Sequence, residues 1–196
     1  MSNSFENIAE YRHHTQQTSR RDERRAPQFE LLTAELAQYA RQGLRLEISF
    51  DKFPNNAKAI FDGVRIEIND KIQAEQQAFI LLHLIGHAAQ IASQPELTAA
   101  APFDSRSYPE SESNLKAYKR LALCYGAGLL ITLERSDLLP WFNRTAITEL
   151  ERFIAFRKGD QAASLQKTLP AEKNESLFPL ELPDFTPVRL SKSVVI

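Results

Sequence analysis

The chain has 196 residues, enough for one domain or one domain with a tail, and its 43% hydrophobic and 25% charged content is that of an ordinary globular protein. Twenty-four Lys and Arg against 25 Asp and Glu leave a formal net charge of −1, so there is no global basicity of the kind that drives nucleic-acid binding, and nucleic acid is not an expected partner. The longest apolar stretch, beginning at Ala78, is interrupted by His83, Gly86 and His87; it is far too short to cross a bilayer, so no membrane partner is expected.

Residues 1–27 read as a polar leader. Its start has no charged segment followed by an apolar one, so no signal peptide is expected. The run Ser19-Arg20-Arg21-Asp22-Glu23-Arg24-Arg25 mixes both signs, and the His13-His14 pair lies in the same polar surroundings; a frayed or partly helical, solvated leader follows. Pro27 opens a helical pattern in which Phe29, Leu32, Leu36 and Tyr39 recur at spacings of three and four, with Gly43 as the stop signal. Residues 44–50 alternate apolar and polar as a half-buried strand does. Residues 57–61 form a second strand, Asp62-Gly63 a tight hairpin turn, and residues 64–68 a third strand.

Asn69 or Asp70 can cap the next helix, Asp70 and Gln73 having capping-box spacing. This helix runs from about Ile72 until Pro95 forbids continuation. Residues 95–111 read as a surface loop, and a second long apolar helix spans about 112–133. Cys124, the only cysteine, sits there among Leu121, Ala122, Leu123 and Tyr125. It reads as a buried inert thiol; a single cysteine excludes an intramolecular disulfide and suits a reducing cytoplasm. Pro140 is expected to break the chain, with Trp141-Phe142 as a packing anchor. Asn143 or Thr145 then caps a further helix ending at Gly159, and residues 160–168 add a short one. From Pro170 the prolines forbid regular helix, yet Phe178, Leu180, Leu182, Phe185, Val188, Leu190 and the end Val194-Val195-Ile196 are too apolar for a free tail. An extended segment is expected, packed over the domain or against a partner.

One stretch carries chemistry: Phe79-Ile80-Leu81-Leu82-His83-Leu84-Ile85-Gly86-His87. Histidines four apart on a helix share a face, and their imidazoles can reach one metal ion. In the H-E-x-x-H arrangement, a glutamate after the first histidine takes a proton from the metal-bound water. Leu84 holds that position here and cannot accept a proton. Gln90 shares the face of His83 and His87, so a polar, metal-free pocket of His83, His87 and Gln90, with Tyr118 and Tyr125 facing it from the following helix, is the second reading of the same residues. Gly86, unfavourable inside a helix, implies a close backbone approach.

The order of helix, strands with a hairpin, and a helix opening on Ile-x-Ile-Asn-Asp and carrying F-x-x-x-H-x-x-G-H resembles the ImmA/IrrE family of small gluzincin-type metallopeptidases, over residues 28–140. The resemblance implies a zincin-like α+β fold, with a three-stranded sheet on three to four helices. It implies a domain over residues 28–168, followed by an extended tail over 169–196. The third metal ligand of that family is a glutamate on the next helix. Aligned on Tyr125-Gly126-Ala127-Gly128-Leu129-Leu130, its position falls on Leu121 or Lys119, and on an alternative anchor it falls on Lys116; none is a carboxylate. Glu112 is the nearest candidate, with Glu110 before it. His83 and His87 are thus the candidate metal ligands, Leu84 marks a missing general base, and zinc is expected to be weak or absent. The expectation is a cytoplasmic pseudoenzyme that binds a protein or peptide; active relatives act on transcriptional repressors, which points to a regulator as partner. The alternatives are a metal-dependent peptidase with a displaced carboxylate, from Glu110, Glu112 or Glu134, and a DNA-binding regulator using Arg144, Arg152, Arg157 and Lys158.

Overall fold

The computed structural model describes residues 27–53, 57–94, 112–157, 176–191 and 193–196, the side chains of residues 112–115 and 156–157 excepted. The architecture is α+β, a small mixed sheet packed on helices. Helix α1 covers residues 27–43. Strands β1 (Glu47–Asp51), β2 (Ala59–Phe61) and β3 (Arg65–Asn69) follow, then helices α2 (Ala74–Ser93) and α3 (Glu112–Thr132). A 3-10 turn at Ser136–Leu138 leads into helix α4 (Leu139–Arg157), and Val194–Val195 forms β4.

The sheet has four strands rather than three, in the order β1-β3-β2-β4. β1 and β3 pair in parallel, while β2 runs antiparallel to both β3 and β4. Alternation sets the buried face: Ile48, Ala59, Phe61, Ile66 and Ile68 point into the core. The Asp62-Gly63 turn forms as its chemistry dictates. Gly63 takes φ +90°, open to glycine at no steric cost. Asp62 Oδ1 accepts the backbone N–H groups of Val64 and Arg65 at 3.0 and 2.7 Å. Burial pushes the Asp62 carboxyl up, but those two N–H groups and the nearby Arg189 and Arg65 guanidinium groups outweigh it and hold the pKa below the usual range.

The expected capping box is absent. The N-cap of α2 is Gln73, without a side-chain capping bond. Asn69 instead folds back, its Oδ1 accepting Lys71 N–H at 3.0 Å while its amide donates to the Ala57 carbonyl. The asparagine therefore ties β3 to the chain entering β2 and sets the turn before α2. Pro140 is a further correction: it does not break the chain but sits in the first turn of α4, which begins at Leu139 rather than near Asn143 or Thr145. An amide hydrogen is dispensable in a first turn, so proline fits there.

Helix α2 is the central element. Its buried side is wide, from Ala78 through Leu82, Leu84 through Ile91, because it meets the sheet on one side and α3 on another. The α2–α3 contact is a backbone-to-backbone approach. A Cβ added at Gly86 would lie 2.0 Å from the Ala122 carbonyl oxygen, and one at Gly126 would lie 2.8 Å from the Leu82 carbonyl oxygen. Phe142, fully buried, seals the same junction against Phe79 at 5.5 Å between ring centres. Trp141 packs at a tilt against Phe29 of α1, ring centres 4.6 Å apart.

The described tail residues, from 176 on, are extended and pack on the rest of the fold. Leu180 N–H donates to the Cys124 carbonyl at 3.0 Å, Leu190 N–H to the Asp62 carbonyl at 2.7 Å, and Ile196 N–H to the Ala59 carbonyl at 2.9 Å. The Leu180 backbone presses on α3 where only the missing side chain of Gly128 leaves room. The tail then follows the β2–β3 turn, where Arg189 pairs with Asp62 at 2.6 Å, and closes the sheet as β4. No helix among the described residues is long and apolar enough to cross a membrane. The leader, the loop 95–111 and the segment 160–168 lie outside the described residues.

Candidate functional site

His83 and His87 project from one face of α2, their ring centres 4.7 Å apart, as the spacing of four requires. Their surroundings differ. His87 is 2% exposed and Gln90 1%. Gln90 Nε2 donates to the Tyr118 carbonyl of α3 at 3.0 Å, which turns its Oε1 toward His87 Nδ1 at 3.1 Å. An amide oxygen can only accept, so His87 Nδ1 carries the proton in this arrangement. The His87 ring also lies 5.6 Å from that of Tyr118. His87, Gln90 and Tyr118 thus form an interhelical clamp rather than the wall of an open pocket.

His83 faces a cleft of about 390 Å³ between α2, α3 and α4, lined also by Lys58 and Ile196. Phe79, Ile80, Leu123, Leu150 and Phe153 supply its apolar walls. Polar side chains line it as well: besides His83 and Lys58, the cleft holds Lys119, Glu75, Glu149, Thr145 and two glutamines near the start of α2. The Lys119 ammonium sits 4.1 Å from the centre of the Phe153 ring, a cation–π contact. Glu75 accepts the indole N–H of Trp141. His83 Nε2 is buried without a hydrogen-bond partner among the described residues.

The electrostatics follow from burial. Desolvation, aided by the positive charge of Lys119, pushes the pKa of His83 down to about 3. His87 moves well down for the same reason, with His83 and Lys119 adding to burial and the Gln90 contact opposing it. Both imidazoles are therefore neutral at pH 7. Burial also pushes Lys119 down to about 8, against the pull of Glu149, leaving mostly ammonium at neutral pH. Cys124 is buried, and desolvation pushes its thiol up, as befits an unreactive packing residue.

Two neutral imidazoles could each lend a nitrogen lone pair to zinc, but the described residues bring no third donor to them. Structural and catalytic zinc sites ordinarily have three or four protein ligands, and among the described residues no group of three or more His, Cys, Asp or Glu side chains is arranged to hold a metal ion. Lys119, one of the positions aligned with a ligand glutamate, brings a cation to the cleft instead. Leu84 is 1% exposed and packs in the core, offering no proton acceptor. Glu112 begins α3, with its side chain outside the described residues, and Glu110 lies outside them altogether. Glu134 is exposed past the end of α3, at φ 58°, away from the cleft. Tyr125 does not line the cleft. Arg144 and Arg152 are exposed on α4, Arg152 being paired with Glu149 at 2.8 Å.

The sequence reading missed Lys119 as a cleft residue in its own right, and Glu149, Phe79 and Phe153 with it. Spacing on α2 could show which residues share a face with His83, but not which side chains α3 and α4 bring opposite. No protein-family model matches the chain, and no curated protein sequence matches it either.

Proposed function

We propose that this protein is a catalytically silent relative of the ImmA/IrrE-type metallopeptidases that binds a peptide or protein segment in the His83 cleft without cutting it. The observation that supports this reading is the chemistry of the cleft floor: a neutral histidine beside a lysine, with a core leucine following the histidine in sequence. Hydrolysis by a metal-bound water needs a ligand set and a base, and neither the cation of Lys119 nor the hydrocarbon of Leu84 supplies one. Apolar walls interspersed with polar and charged side chains suit recognition of a peptide. The sequence resemblance suggests a transcriptional regulator as partner.

The test uses the full chain purified without chelator. Metal analysis is expected to find zinc well below one ion per chain, with no change in His83→Ala. Incubated with zinc and a mixed peptide library, the protein is expected to retain peptides intact by mass spectrometry, and Phe153→Ala to retain fewer. Stoichiometric zinc that disappears in His83→Ala, together with cleaved peptides, would establish the alternative of a peptidase with a displaced carboxylate and overturn this reading.

A further inference from the structure

The cleft meets the sheet at Lys58, which leads into β2, and Ile196, which follows β4; both line it. The two are bonded to each other. An Ile196 backbone oxygen accepts the N–H groups of Lys58 and Ala59 at 2.6 and 3.3 Å, and Ile196 N–H donates to the Ala59 carbonyl at 2.9 Å. The tail thus holds the main-chain groups of β2 that lie beside the cleft. Val195 lies opposite Ile60 and Val194 opposite Phe61, so alternation turns Val194 and Ile196 to one face and Val195 to the other. Val194 packs against the core and Ile196 lines the cleft, while Val195 is 65% exposed. This contact is lightly anchored beside the start of the tail, where Leu177 is 2% exposed and Leu180 fits against Gly128. β4 has two residues and is the outermost strand, and Ile196 is 41% exposed. A short segment with little buried apolar surface opens at low cost while the rest of the fold stays intact.

We infer that residues 193–196 are a strap that holds, in cis, the place of a bound peptide. The partner is an extended segment rich in β-branched and aliphatic residues, which adds to β2 in place of β4 and sets one side chain in the cleft where Ile196 stands. This deepens the proposal of a peptide-binding cleft and rests on it. The groups the strap releases, Lys58 N–H and the Ala59 N–H and carbonyl, are the kind that strand addition uses for affinity, with side-chain pockets giving specificity. β-Branched residues suit such a half-buried pleated surface. Proline is excluded at the residue facing Ala59, because it has no N–H for the Ala59 carbonyl. The segment runs antiparallel to β2, as β4 does. The affinity seen in solution is then the intrinsic affinity reduced by the fraction of molecules whose strap is released.

The register supplies the test. Ala59 and Ile196 exchange both of their hydrogen bonds, so Ile60 and Val195 form the adjoining non-hydrogen-bonded pair, whose Cα atoms ordinarily lie about 4.5 Å apart. That separation admits a disulfide. Ile60→Cys with Val195→Cys gives a full-length chain whose strap is locked when oxidised and free when reduced; the native Cys124 is buried. The probe is a fluorescein-labelled peptide with the sequence of residues 188–196, read by anisotropy, together with a copy N-methylated at the residue matching Ile196. Val194→Ala with Ile196→Ala loosens the strap, and circular dichroism checks each fold. Oxidation is expected to weaken peptide binding at least about tenfold, and reductant to restore it. The loosened protein is expected to bind several-fold more tightly than the parent, and the N-methylated copy to bind poorly to every form. Equal binding by the oxidised and reduced proteins, as a peptide added outside β4 would give, overturns the strap and leaves the cleft standing. So does N-methyl peptide binding as tight as that of the unmodified one, or a loosened protein no tighter than the parent. Peptide bound by none of the parent, reduced and loosened proteins sinks the strap and the binding cleft together.

Discussion

Replacing Gly86 with alanine sets two opposed effects against each other, and the structure decides between them. Alanine is favoured over glycine inside a helix by about 1 kcal/mol, so on propensity alone the variant should be more stable. The added Cβ, however, would stand 2.0 Å from the Ala122 carbonyl oxygen and 3.3 Å from the Gly126 nitrogen. A close carbon–oxygen contact is about 3.3 Å, so α2 and α3 must separate by roughly 1 Å or more. Both obstacles are backbone, which cannot rotate aside. Overpacking a tight core costs about 1–3 kcal/mol and occasionally more, and here the strain falls on the backbone-to-backbone junction of α2 and α3. We expect a net loss of about 2 kcal/mol or more, which for a chain of this size lowers the melting temperature by roughly 4–8 °C. Urea and thermal unfolding would measure it. Gly43→Ala is the control, because its nearest added contact is the Tyr39 ring at 3.7 Å. A Gly86→Ala protein as stable as the parent would refute the close packing of α2 on α3.

Stability should also depend on mildly acidic pH. His83 and His87 have folded pKa values below the unfolded value of 6.5, so the unfolded chain binds more protons as pH falls. Their contribution is fully present above that value and is lost as pH drops below it, toward about 3 for His83. From pH 7.5 to 5.5 the loss from His83 should be about 1.4 kcal/mol, with His87 adding to it in the same direction, measured by denaturant unfolding at each pH. A His83→Gln, His87→Gln protein with the same pH slope as the parent would contradict the assignment. Gln90→Leu removes the acceptor for His87 Nδ1 and should cost about 1–3 kcal/mol, read by the same unfolding curves. Gly63→Ala combines a φ of +90° with a Cβ 1.9 Å from the Val188 carbonyl oxygen. It should cost about 2 kcal/mol or more and loosen the tail, seen as faster proteolysis there. Arg189→Ala should change stability by less than about 1 kcal/mol, since the arginine is 59% exposed and its ion pair is screened by water.

Local chemistry was legible in the sequence wherever a short pattern admits one answer. The Asp62-Gly63 turn, the strand alternation around Ile66 and Ile68, and the long helix through His83 and His87 needed only neighbours along the chain. The reading of Gly86 as a close approach also followed from a local cost that something distant had to justify. Contacts across the fold were not legible. Nothing in residues 47–51 specifies parallel rather than antiparallel pairing with β3, since alternation is the same either way. Val194 and Val195 read as apolar tail residues until β2 is seen beside them. The candidate site divided along the same line. The shared face of His83, His87 and Gln90 was plain from spacing, but which of them would be clamped and which would meet a cavity depended on Tyr118, Lys119 and Phe153 arriving from other helices. Pro140 misled because proline signals both the end of one helix and the first turn of another.

The two-residue strand Val194–Val195 has a consequence for how the chain behaves when shortened. It occupies hydrogen-bonding positions of β2 that would otherwise form a bare rim able to template addition of foreign strands. A version trimmed before residue 176 would lose that shield together with Leu177 of the core. Clumping of such a trimmed protein would then reflect an uncovered seam, and a search for binding partners with it would collect sticky associations.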